Sequence, residues 1–265
     1  MRLALILAIW LGIGVAQAQP TADPFLWLEQ VQSPRALDWV RAEDARSLKI
    51  LQADPHYQTF YSQALALAQS SDRIPTPDFT AGQITNLWQD ATHVQGIWRR
   101  TSLATYQTPT PAWATVLDLD ALSKAEHSTW VWKGDTCFHP ADHRCLISLS
   151  NGGEDAVTTR EFDFEKTRFV HGGFLIPHAK QVADWETPDS ILVGTDWGPG
   201  SMTASGYPFI IKRLHRGQAL AQAQEVFRGT PQDVAVQVQT LTDAQGHVVP
   251  ILQRGIDFFR TESGS

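Results

Sequence analysis

Two stretches decide the fold: Leu146-Ile147-Ser148-Leu149-Ser150 and Ile191-Leu192-Val193-Gly194-Thr195. Each is short and aliphatic, and each is followed by a glycine turn, Gly152-Gly153 after the first and Gly198-Pro199-Gly200 after the second. Runs of this kind, bounded by turn residues, read as strands. The second begins 45 residues after the first. Val116-Leu117-Asp118-Leu119 and Glu161-Phe162-Asp163-Phe164 are also 45 apart, and Ile210-Ile211-Lys212-Arg213 follows 49 residues later. A repeat of about 45 residues holding about four strands is what one blade of a β-propeller looks like. The competing reading is a chance match in an ordinary β-sandwich, because strand-rich chains give turn signals at regular intervals.

Working outward, the same texture runs from Phe79 to the end: short runs of Trp, Val, Ile, Thr and Phe punctuated by Gly, Pro and Asp. Strands are expected near 94–99, 113–117, 129–132, 146–150, 191–195 and 209–214. Upstream the texture is helical. Ser33-Pro34 reads as an N-cap followed by proline at the first helical position. Leu37, Val40, Asp44, Leu48 and Leu51 recur at helical spacing, all but Asp44 apolar. Asp54-Pro55 ends that helix, and a second is expected from Tyr57 to about Gln69, with Phe60, Tyr61, Ala64, Leu65 and Leu67 among its apolar positions. The stretch 70–77, with Pro75 and Pro77, reads as a linker. The fold class expected is therefore all-β with a helical N-terminal segment (19–78), followed by a partial propeller of about four blades (79–265).

The first residues carry a different signal. Arg2 precedes an apolar run from Leu3 to Val15, and Ala16-Gln17-Ala18 supplies small residues for cleavage. That is the layout of a secretory signal peptide over 1–18. The run is shorter than the roughly 20 residues a spanning helix needs. The expectation is an exported, periplasmic chain with no membrane contact after cleavage. Removing one Arg takes the formal charge from −7 to −8, and an acidic chain without a basic run argues against a nucleic-acid partner.

Residues that could carry chemistry are few. A serine hydrolase mounts its nucleophile on Gly-x-Ser-x-Gly. The chain has none: Ser201 and Ser205 lie near Gly198, Gly200 and Gly206, but neither has glycine on both sides at that spacing. They read as turn serines, and no catalytic, cofactor-binding or metal residue is assigned. The stretch from Cys137 to Cys145, with His139 and His143, is the most metal-like, although structural zinc sites space their ligands differently. Cys137 and Cys145 flank Ala141 symmetrically, so they could face each other across a hairpin turning at 140–143. A disulfide, two free thiols and a metal site all stay open, with an oxidising compartment favouring the bridge. Asp118 with Asp120, and Glu154 with Asp155, read as turn and strand-end carboxylates rather than acid/base pairs. The tryptophans are scattered over both segments, which favours core packing over a sugar-binding face.

Three motifs resemble the prolyl oligopeptidase family of serine peptidases. Asp23-Pro24-Phe25-Leu26-Trp27-Leu28-Glu29 with Ser33-Pro34-Arg35-Ala36-Leu37-Asp38-Trp39-Val40 resembles its N-terminal opening. Ser148 to Asp155 with Arg160-Glu161-Phe162-Asp163 looks like a blade signature of a bacterial branch, and Gly194 to Thr203 with Ser205-Gly206-Tyr207-Pro208 is similar to the next blade. The resemblance implies a helical segment leading into a seven-bladed propeller. It also implies a C-terminal α/β-hydrolase domain that carries the Ser-Asp-His triad, cleaves after proline in oligopeptides, and receives substrate filtered by the propeller. It calls for no cofactor. The sequence ends within about the fourth blade, so no catalytic residue carries over. The chain is expected to be inactive alone, with open propeller edges available for self-association. A stand-alone exported propeller that holds a peptide or partner protein is the second reading, since four-bladed propellers exist.

Overall fold

The computed structural model describes residues 23–30, 33–70, 72, 76–243 and 245–264. The expected leader over 1–18 lies outside the described residues. Two compact units divide after Leu65.

In the first unit, Ser33 caps helix α1 (Pro34–Gln52), its Oγ accepting from the Ala36 backbone N–H at 3.2 Å, with Pro34 at the start where a missing N–H costs nothing. The Asp23 to Glu29 motif forms a short 3-10 turn over Leu26–Glu29. Its Trp27 ring meets Trp39 edge-on at 6.1 Å and carries the Arg35 guanidinium at 4.1 Å. After the Asp54-Pro55 turn comes α2 (Tyr57–Ala68), within a residue of the expected end. Among the described residues no helix is long and apolar enough to cross a membrane.

The second unit is four antiparallel sheets in chain order. The first holds β1 (Asp78–Thr80), β2 (Gln83–Trp88), β3 (Ile97–Thr101) and β4 (Ala114–Asp118), with short helices α3 (Leu103–Tyr106) after β3 and α4 (Leu119–Glu126) after β4. The second holds β5 (Trp130–Cys137), β6 (Arg144–Asn151) and β7 (Val157–Asp163), to which both β8 (Arg168–Phe169) and β9 (Leu175–Ala179) pair. The third holds β10 (Val182–Thr187), β11 (Ser190–Gly194), β12 (Ile210–His215) and β13 (Gln224–Arg228). The last holds β14 (Ala235–Thr242), β15 (Val248–Gly255) and β16 (Thr261–Gly264). This is a partial propeller of four blades, each sheet running from its first strand outward.

The two deciding stretches are β6 and β11, second strands of neighbouring sheets, and not partners in one sandwich sheet. Their apolar runs are nearly unbroken because both faces are buried. Cys145, Ile147 and Leu149 of β6 pack with Trp98, Val116 and Leu117 of the first sheet and with Leu119 of α4, whereas Leu146 packs with Trp185, Ile191 and Val193 of the third. Leu192 of β11 faces the last sheet, against Val236 and Val238. The face pattern therefore matches at an even offset and not at 45: Leu146 shares one orientation with Leu192, and Ile147 shares the other with Ile191 and Val193. A one-residue slip reverses every face of a strand. The other 45-residue match joins unlike strands, since 116–118 lie in β4, fourth in its sheet, while 161–163 lie in β7, third in its own. The helices α3 and α4 lengthen the first blade and break the period there.

A buried carboxylate fastens the second sheet to the third. Glu161 on β7 has a side chain 0% exposed. Its Oε1 accepts from Arg144 Nη1 at 2.7 Å; its Oε2 accepts from Arg216 Nη1 at 2.7 Å and from the Phe174 backbone N–H at 2.9 Å. Arg216, in the turn after β12, also donates to Asp189 Oδ1 at 2.8 Å. A buried charge persists when paired and hydrogen-bonded on all sides, and breaking such a pair is costly. Gly173 leaves the room needed, because a Cβ there would stand 2.8 Å from Glu161 Oε2. Glu161→Gln is expected to lower stability by about 3 kcal/mol. Urea unfolding followed by circular dichroism checks this: the midpoint falls with the slope retained, and an unchanged midpoint would refute the clasp.

Candidate functional site

The first strand of every sheet contributes to one cavity of about 470 Å³. β1 supplies Asp78 to Thr80, β5 supplies Asp135 to Cys137, β10 supplies Val182 to Asp184, and β14 supplies Val238 to Thr240; the β5–β6 turn adds His139 and Asp142. The lining thus brings together four carboxyl groups and one imidazole. Successive side chains of a strand point to opposite sides, so Asp135 and Cys137 share one side while Thr136 takes the other. The Thr136 carbonyl accepts from Trp185 Nε1 of the neighbouring sheet at 2.8 Å, which seats two first strands side by side.

The electrostatics follow from burial. Asp135 has its pKa raised to about 6, chiefly by burial, with the negative charges of Asp78 and Asp142 adding to the rise. Asp184 is also pushed up by burial, and the backbone N–H groups of Thr240 and Trp185 partly offset this. Its Oδ2 accepts from Thr240 N at 2.7 Å, joining β10 to β14. His139 Nδ1 lies 2.6 Å from Asp142 Oδ1. An acid-lined passage of this kind favours cationic over anionic groups.

Cys137 and Cys145 are paired in register across the β5–β6 hairpin, with Cα atoms 3.9 Å apart and their sulfurs joined. Bonded to each other, they offer no thiolate to a metal. His139 and His143 are held by different acids: His143 Nδ1 sits 3.4 Å from Glu165 Oε1.

The serines singled out above are engaged in their own loop. Ser201 Oγ accepts from Trp197 N at 2.9 Å and lies 2.6 Å from the Gly198 carbonyl, to which it donates. Ser205 Oγ donates to the Val234 carbonyl at 2.6 Å. The paired carboxylates are structural too. Asp118 caps α4 through Ala121 N at 2.8 Å, and Asp120 accepts from Gln95 N at 3.1 Å. Glu154 meets His178 Nε2 at 2.8 Å, and Asp155 accepts from Tyr207 Oη at 3.1 Å. Trp98 and Trp185 are buried, Trp98 at 5.2 Å from Trp132 and 5.1 Å from Phe164. Sequence reading missed the four aspartates of the cavity. They sit at 78, 135, 142 and 184, and no local motif joins them; only their place on first strands, or in the turn after one, could have pointed to them.

Blades stacked beside an acid-lined cavity define a partial β-propeller domain. The sequence model described as "Prolyl oligopeptidase, N-terminal beta-propeller domain" matches residues 14–259. The chain is 44% identical over 247 residues to "Uncharacterized peptidase y4nA" of Sinorhizobium fredii, covering 92% of this chain and 34% of that protein. It is 26% identical over 246 residues to "Uncharacterized peptidase RP174" of Rickettsia prowazekii, covering 89% and 34%. The solved structure of a post-proline cleaving enzyme from Rickettsia typhi superposes with a TM-score of 0.81 at 26% identity, covering 89% of this chain and 36% of that one. The chain belongs to the prolyl oligopeptidase family, as its N-terminal β-propeller domain. It spans about a third of the length of the relatives it matches.

Two outcomes follow. Because folding raises the Asp135 pKa, the folded state binds a proton that the unfolded chain has released between about pH 4 and 6. Asp135 therefore disfavours folding increasingly as pH rises through that window. Asp135→Asn should match the parent near pH 4 and exceed it by on the order of 2 kcal/mol at pH 8. Thermal unfolding at both pH values reads this, and an equal offset at both would contradict it. For the cysteines, mass spectrometry of unreduced, alkylated protein should find neither Cys137 nor Cys145 labelled; two alkylated thiols would rule the bridge out.

Proposed function

We propose that this chain is the substrate-filtering propeller part of an exported serine-type endopeptidase acting on proline-containing oligopeptides. The observation that carries the reading is the convergence of four first strands on one cavity of about 470 Å³. Pockets of about 300–1,000 Å³ suit small ligands or a few residues of extended chain. A folded domain, with a radius of gyration near ~13 Å for 100 residues, does not enter such a passage. A filter of this kind would act by size, with the acidic lining as a second criterion.

Catalysis belongs, on this reading, to a hydrolase domain of the intact enzyme. Acyl transfer needs an activated hydroxyl, an imidazole base and an oxyanion hole in one rigid arrangement. Ser201 and Ser205 are held in their own loop, and the sequence contains no Gly-x-Ser-x-Gly. Export is supported by the layout of residues 1–18 and by the paired cysteines, which suit an oxidising compartment. Further blades, or a second copy of the chain, would cover the outward faces of the first and last sheets.

Isothermal titration of the mature chain with a proline-containing octapeptide should give saturable binding, whereas a folded protein of similar composition should give none. Equal binding of both would sink the filter. Incubated with a chromogenic proline peptide and a serine-directed phosphonate, the chain should show no turnover and no labelled serine. Turnover with labelling of Ser201 or Ser205 would overturn the assignment of catalysis elsewhere. Expressed with its leader in a bacterial host, the chain should appear in the periplasm beginning at Gln19; retention of the leader in the cytoplasm would contradict export.

A further inference from the structure

At the end of the second sheet away from the Gly152-Gly153 turn, a separate cavity of about 300 Å³ is lined by Arg144, Asp163, Lys166, Arg168 and His171, with Phe169 and Val170 completing the wall. It shares no lining residue with the central cavity. Strand register builds it. Arg144 on β6 stands opposite Asp163 on β7, and Asp163 stands opposite Arg168 on β8. Residues directly opposed in antiparallel strands project to the same face, so the three strands present a row Arg–Asp–Arg. The turn between β7 and β8 adds Lys166, whose Nζ lies 3.2 Å from Asp163 Oδ2. Arg144 Nε lies 3.8 Å from the same oxygen.

The charges in this cavity do not balance. Asp163 is its single acid, and it faces three permanent cations. Arg144 is committed through Nη1 to the buried Glu161. Glu165, beside Lys166 in the turn, pairs with His143 and does not line the cavity. Arg168 is left with no side-chain hydrogen bond or ion pair among the described residues. An excess of positive charge held in a concavity is against the sign of the whole chain, which carries −7. A guanidinium presents a planar fork that matches an oxyanion with two parallel N–H donors, and a neighbouring ammonium adds a point charge.

We propose that this cavity binds a small oxyanion, a carboxylate or phosphate group, with Arg168 as the forked donor and Lys166 as the second charge. The site does not depend on the filter reading, since it uses none of the same residues. The test is calorimetric titration of the full mature chain with inorganic phosphate at low ionic strength. Saturable binding in the millimolar range is expected, weakened roughly tenfold in Arg168→Gln and several-fold in Lys166→Gln, and reduced by added salt as exposed charge pairs are. Arg168 is exposed, so circular dichroism and the melting temperature without phosphate should not change in Arg168→Gln; Lys166→Gln also loses the contact to Asp163, so its binding is read well below its own melting temperature. Competition by a blocked dipeptide acid but not by its C-terminal amide would identify a peptide carboxylate as the group bound; phosphate binding that the acid does not displace would identify phosphate. The proposal is overturned if phosphate gives no saturable binding, or if both variants bind it as the parent does.

Discussion

Burial of the second strands on both faces is the constraint from which the rest of this structure follows. A strand covered on one side can alternate apolar and polar residues; one covered on both cannot. β6 and β11 meet that demand, with Cys145, Ile147 and Leu149 turned one way and Leu146 the other, and with Ile191 and Val193 set against Leu192. Each sheet therefore needs a neighbour on either side, and each neighbour needs the next. Stacking around an axis satisfies this requirement and protects the strand edges as well.

Polar contacts then set where each sheet sits against the next. Apolar faces alone tolerate sliding, because dispersion and hydrophobic burial are non-directional. Glu161, with Arg144 on its own sheet and Arg216 on the next, allows one relative placement. Trp185 Nε1 on the Thr136 carbonyl and Asp184 on Thr240 N do the same along the axis. These directional contacts hold the first strands at the spacing that leaves the cavity between them.

The same register logic produces two sites of opposite sign. Near the axis, first strands place Asp78, Asp135 and Asp184 on a shared cavity, and burial raises the cost of ionising Asp135. At the end of the second sheet, three neighbouring strands align Arg144, Asp163 and Arg168. Neither grouping is a sequence motif, since the members of each come from separate strands. Both arise because antiparallel pairing brings distant residues level with one another.

What the sequence by itself determined is local. Ser33-Pro34 starts a helix because a hydroxyl satisfies a free N–H and proline lacks one; Asp54-Pro55 ends it; the glycine pairs after β6 and β11 turn the chain where left-handed backbone is needed. Strand positions near β4, β5, β6, β11 and β12, the approximate blade length and the β5–β6 hairpin were legible for the same reason, as was the family through its blade motifs. The tertiary structure decided what depends on contacts between distant residues. That the offset is even rather than 45 appears only when the packed faces of β6 and β11 are known, because period-2 alternation cannot be phased inside a run apolar on both faces. The unlike partners of the 116–119 match, the two acids holding His139 and His143, and the four aspartates of the axis were hidden likewise: their meaning lies in what stands opposite them across a sheet or a cavity, and no spacing along the chain encodes that.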